Sequence, residues 1–139
     1  MKRLIYILAI MAMAIIALAV SAPFGPTVVA KYAATGQTAS IGSTTLFTPS
    51  EDGDYELSIY ISSDSNNGGN ASVFVIWVDE NRSHNFNSAS VSGSMGNETG
   101  SAATVIHATA GNPIQFSISY SAGTPPSIAY DVFITLVKK

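Results

Sequence analysis

The sequence predicts an all-β domain, an antiparallel sandwich of eight to ten strands, standing behind an N-terminal apolar segment. Three observations carry that expectation. After residue 26 no stretch shows a helical period. Several stretches alternate apolar and polar residues with a period of two, the mark of a strand with one buried face. Turn residues recur roughly every ten positions, the spacing of a sandwich or barrel.

The elements follow in order. Residues 27–33 (TVVAKYA) read as a first strand, and residues 37–41 and 43–48 as a second and third, divided by Gly42. Residues 49–53 (PSEDG) are a turn. In residues 54–63, Tyr55, Leu57, Ile59 and Ile61 face one way, and Glu56, Ser58 and Tyr60 the other. Residues 71–78 (ASVFVIWV) are apolar on both faces, so both are expected to be covered. Asp79-Glu80-Asn81 is a turn before a strand at 84–91, and residues 92–100 are a polar, Gly-rich loop. Strands follow at 101–110, at 113–121 with Ile114, Phe116, Ile118 and Tyr120 inward, and at 128–137. Gly123-Thr124-Pro125-Pro126 is a turn that proline keeps out of any ladder.

The segment ahead of the strands reads as an address. Lys2 and Arg3 precede an unbroken apolar run from Leu4 to Val20, which ends in Ala19-Val20-Ser21-Ala22. Small residues at Ala19 and Ser21 suit a signal-peptidase cut before Ala22. A cut after Ala19 is the second choice. A retained anchor is the competing reading, since the run has 17 residues, at the short edge of what spans a bilayer. The expected organisation is a signal peptide at 1–21 and a sandwich domain at 22–139, exported to the cell surface, the periplasm or the medium. The absence of cysteine favours a prokaryotic or phage-like origin over a disulfide-stapled secreted domain. It also excludes thiol nucleophiles and thiolate metal sites.

Charge narrows the partners. Charged residues make up 11% of the chain, against about 25% in ordinary domains. Without Lys2 and Arg3, four basic and nine acidic residues remain, a charge of about −5. Such a surface repels phosphate backbones, so no nucleic-acid partner is expected.

Two segments carry a family resemblance. Thr45-Leu46-Phe47-Thr48-Pro49, running through Asp52-Gly53-Asp54-Tyr55 to Ile59, resembles the passage of strand, proline turn, Gly-x-Tyr and strand in the C1q/TNF-like jelly-roll superfamily. Ala108-Thr109-Ala110-Gly111-Asn112-Pro113-Ile114 is similar to the hairpin before that fold's penultimate strands, and Tyr130 to Leu136 to its closing strand. The resemblance covers roughly residues 36–137. It implies a ten-stranded jelly roll, often a trimer packed through aromatic and aliphatic side chains, with no catalytic residues to carry over. The sequence shows no collagen-like or coiled-coil stalk of the kind that trimeric members often have.

Chemistry is sparse. His107 lies mid-strand and reads as a satisfied or half-exposed sheet residue; His84 sits at a turn and reads as solvated. Glu51, Asp52, Asp54 and Glu56 read as a solvated acidic turn. Asp64-Ser65-Asn66-Asn67-Gly68 resembles half a calcium loop but lacks the spacing and distal Glu of an EF-hand, so no cofactor or metal ligand is assigned, with calcium at this oxygen-rich loop the lesser alternative. No catalytic residue is assigned either, and the expected protein is not an enzyme. Asn70, Asn81 and Asn97 head N-x-[ST] triplets.

Two surfaces remain as candidates. Tyr60, Phe133 and Val137 fall on the face opposite the core, and a contiguous stripe of them would form an oligomer interface with further copies of the chain. Trp77, with Tyr60 or Tyr120, would stack a sugar, although Ile76 and Val78 beside Trp77 favour its burial. The leading expectation is an exported structural or adhesive module that self-associates, a trimer being favoured, with an extracellular glycan or protein as the other partner considered; the alternative is a carbohydrate-binding module at the cell surface.

Overall fold

The protein's computed structural model describes residues 25–64, 69–92, 97–123 and 128–139. Residues 1–21, the expected signal, lie outside these, as do 65–68 of the calcium-like loop and Thr124 to Pro126 of the expected turn. No helix among the described residues is long and apolar enough to cross a membrane.

The described chain forms eight strands: β1 (Thr27–Gln37), β2 (Ile41–Phe47), β3 (Gly53–Ser63), β4 (Asn70–Asp79), β5 (Arg82–Ser92), β6 (Thr99–Ala108), β7 (Ile114–Ser121) and β8 (Tyr130–Lys138). They build two four-stranded sheets in the orders β1-β8-β3-β6 and β2-β7-β4-β5. Every pairing is antiparallel. The pairs β1–β8, β2–β7, β3–β6 and β4–β5 make the domain one long hairpin, wound so that its halves alternate between two sheets. That is the strand order of a jelly roll.

The tip of the hairpin is the two-residue turn Glu80-Asn81, closed by the pairing of Asp79 with Arg82. Both turn residues have positive φ, 44° and 65°. This left-handed pair matches the twist of the flanking strands, and Asn suits it well while Glu does not.

The alternating residues converge between the sheets. Tyr55, Leu57, Ile59 and Ile61 of β3 and Val132, Ile134 and Leu136 of β8 meet Ala71, Val73 and Val75 of β4 and Ile114, Phe116 and Ile118 of β7, all buried. Tyr130 is buried too, but its hydroxyl donates to the Ala39 carbonyl at 2.7 Å and so ties down the β1–β2 connection. Burial pushes its pKa up to about 12.

Three expectations are corrected. Residues 37–41 are not a strand of their own: β1 runs to Gln37, and β2 begins at Ile41 and passes through Gly42. The pairing with β7 shifts register between Ile41 and Thr44, so the glycine bends the strand instead of ending it. The strand placed at 101–110 occupies Thr99–Ala108, because the Thr109 amide donates to the Val78 carbonyl and the Ala110 amide to Asp52 Oδ1. The apolar outer residues of β4 are not fully covered within the chain: Phe74 is half-buried and Ile76 is 39% exposed.

Candidate functional site

Residues paired across strands project to the same side of a sheet, so register alone maps the outer face of β1-β8-β3-β6. The row Ala33–Phe133–Tyr60–Ser101 crosses its middle. Tyr60 and Phe133 are direct cross-strand partners, each 42% exposed, with ring centroids 6.1 Å apart and planes tilted by 43°. Two rows along lies Val28–Val137–Glu56–Val105, with Val28 and Val105 exposed and Val137 half-buried. Of five exposed large hydrophobics among the described residues, Val28, Tyr60, Val105 and Phe133 lie on this face and only Ile76 on the other sheet. The expected stripe of Tyr60, Phe133 and Val137 is therefore on one surface. Val28 and Val105 were hidden from sequence reasoning because neither sits in a cleanly alternating apolar segment.

Between those rows lies Lys31–Thr135–Ser58–Ala103. Lys31 is exposed and has no ion-pair partner among the described residues. On the other side of the aromatic pair is the row Asp131–Ser62–Thr99. It opens into a cleft of about 250 Å³, lined by those three residues with Ser63, Asp64, Asn97 and Ala129. Asp131 Oδ1 accepts from the Gly36 amide at 2.7 Å, which holds the β1 bulge where Gly36 has φ 61°. Asp64 Oδ1 accepts from the Ala129 amide at 2.9 Å. Among the described residues, the cleft holds two carboxylates and no basic side chain.

The acidic turn is more engaged than expected. Glu51 pairs with Lys138 and Glu56 with Lys139, the Asp52 carboxylate holds the Ala110 amide, and Asp54 Oδ1 meets His107 Nδ1 at 2.7 Å. Among the described residues no three acidic or histidine side chains converge as a metal set. The bond to Asp54 holds the His107 pKa above the ordinary imidazole value, against desolvation, with help from the Asp79 and Asp52 charges. A raised folded-state pKa stabilises fully below the unfolded value and stops contributing as pH rises through the folded value. The denaturation midpoint is therefore expected to fall slightly from about pH 6 to about pH 8. In His107→Gln that slope should vanish; an unchanged slope would assign the effect elsewhere.

The second candidate surface is not assembled. Trp77 is half-buried and stacks on His84, its cross-strand partner, with centroids 5.4 Å apart and planes 18° apart. His84, expected to be solvated, is thus half-buried against the indole. Tyr120 packs on Tyr130 at 5.8 Å and donates its hydroxyl to the Ile128 carbonyl at 2.8 Å. Tyr120 lies opposite Ala71, so Trp77 is six residues further along β4, about 20 Å away. The two rings form no common platform, and Tyr60 lies on the other sheet. Asn70, Asn81 and Asn97 are all exposed.

No family model matches the sequence, and no curated protein matches it significantly. Among solved structures, the chain is similar to the Eiger TNF of S. frugiperda, at 14% identity and a TM-score of 0.42, over 79% of this chain and 93% of that one. It is also similar to the CBM22-1–GH10 modules of the Clostridium thermocellum endo-1,4-beta-D-xylanase 10B complexed with xylohexaose. That match has 12% identity and a TM-score of 0.39, over 83% of this chain and 26% of the other. Both are likenesses of fold, and the assignment of the jelly roll rests on the strand order and register above.

Proposed function

We propose that this protein is an exported, non-catalytic structural or adhesive module that self-associates through the outer face of β1-β8-β3-β6. The observation that carries the reading is the exposed cross-strand pair Tyr60–Phe133, on the face that holds four of the five exposed large hydrophobics. A contiguous apolar surface of this kind marks an interaction site, and aromatic anchors at the centre of a patch dominate binding energy. Export is supported by the basic and apolar pattern of residues 1–21.

Light scattering of the purified protein tests this. An assembly is expected at micromolar concentration. Phe133→Glu should weaken association by about 30-fold or more, the effect of losing a central anchor. It should leave the β-sheet circular dichroism unchanged, since the side chain is exposed. A wild-type protein that stays monomeric would move the function to carbohydrate binding. The exposed Tyr60–Phe133 rings, rather than Trp77 and Tyr120, would then be the stacking surface.

A further inference from the structure

We infer that a second copy of this chain inserts Lys31 into the acidic cleft of the first, and receives the first copy's Lys31 in its own. The inference rests on the self-association proposed above and specifies which charges meet in it.

Of the four basic side chains among the described residues, Lys138 and Lys139 are paired with Glu51 and Glu56. Arg82 lies at the hairpin tip, on the other sheet. Lys139 reaches the aromatic face but is held there by Glu56, so among the described residues Lys31 is the unpaired cation on that face, in a row whose other members are Thr135, Ser58 and Ala103. The cleft on the same face has the opposite imbalance. Asp64 and Asp131 each spend one oxygen on a backbone amide, and each keeps a second oxygen able to accept from an ammonium.

Position then selects the partner. With strands about 4.8 Å apart and about 3.4 Å of rise per residue, Lys31 lies about 8 Å from Phe133, one strand over and two residues along. The Asp131–Ser62 pair lies about 7 Å from Phe133 in nearly the opposite direction. A two-fold axis running between two such faces and over Phe133 exchanges the two positions. Each Lys31 is then carried onto the other copy's cleft, and the aromatic pairs meet at the centre. An interface of this kind is self-complementary by construction. The aliphatic stem of Lys31 would cross the Phe133 and Tyr60 rings and place its ammonium among oxygens. A cleft of about 250 Å³ has room for it.

Sedimentation equilibrium of the full chain and its variants decides the matter. Wild type is expected to form a two-copy assembly that weakens as salt shortens the Debye length. Lys31→Gln and Asp131→Asn should each raise the dissociation constant at least about tenfold, and the double variant by less than the product of the two effects, because both act on the same contact, made twice in the assembly. The amide oxygen that Asp131→Asn introduces can still accept from the Gly36 amide, and Lys31 is exposed, so neither change threatens the fold. Additive effects, no effect of Lys31→Gln, or a three-copy wild type would overturn the inference. If Phe133→Glu dissociates the assembly while Lys31→Gln does not, the face is right and this contact is wrong. If wild type is monomeric, the self-association reading fails and takes this one with it. Association through residues 1–21 would persist in every variant, Phe133→Glu included, and would likewise overturn it.

Discussion

Phe116→Ala is expected to lower the unfolding free energy by about 3–5 kcal/mol, the cost of removing a large aromatic from a packed core. Phe116 is 1% exposed at the centre of β7, opposite Val75 of β4 and Thr44 of β2. Its ring meets that of Tyr32, 4.4 Å away and tilted by 50°. Tyr32 belongs to β1, in the other sheet. The contact therefore fastens the two sheets together, and its loss adds to the transfer cost of the ring. Chemical denaturation should show a lower midpoint with an unchanged m-value. A loss below about 1.5 kcal/mol would mean that Tyr32 collapses into the vacated space.

Gly100→Ala is expected to cost about 2–3 kcal/mol, through overpacking instead of a cavity. Gly100 pairs with the inward-facing Ile61, so its missing side chain would point between the sheets. A Cβ there would stand 2.5 Å from the Ser90 carbonyl oxygen and 3.2 Å from the Ser90 amide nitrogen and carbonyl carbon. Neither backbone can yield easily: β6 is held by a continuous register with β3, and Ser90 by its pairing with Ser72. Gly42 is the control. Nothing lies within 4 Å of its Cβ position, so Gly42→Ala should shift stability by less than about 1 kcal/mol. Equal effects at the two glycines would show that β5 and β6 approach less closely than the backbone places them.

Part of the site was readable in advance. The period of two in residues 54–63 and 128–137 assigned Tyr60, Phe133 and Val137 to an outer face correctly, because alternation follows from the pleat of a single strand. The contact of Trp77 with His84 was also within reach. Once Glu80-Asn81 is taken as a two-residue turn, register counts back from Asp79–Arg82 to that pair. Treating 79–81 as a three-residue turn hid it. The cleft was not readable. It needs Asp64, Asn97 and Asp131 together, and these belong to three separate parts of the chain.

The sequence by itself determined that the domain is all-β, where most turns fall, and which residues face inward in the cleanly alternating strands at 54–63, 113–121 and 128–137. These are local consequences of backbone pleat, side-chain shape and turn chemistry, and each is written within about ten residues. Only the tertiary structure decided that β8 lies between β1 and β3, and hence that Phe133 touches Tyr60, that Lys31 and the acidic cleft flank that pair, and that Glu51 and Glu56 hold the C-terminal lysines. Many strand orders would bury the same inward faces equally well. The choice among them is made by packing and closure between segments far apart in the chain, where no local pattern speaks.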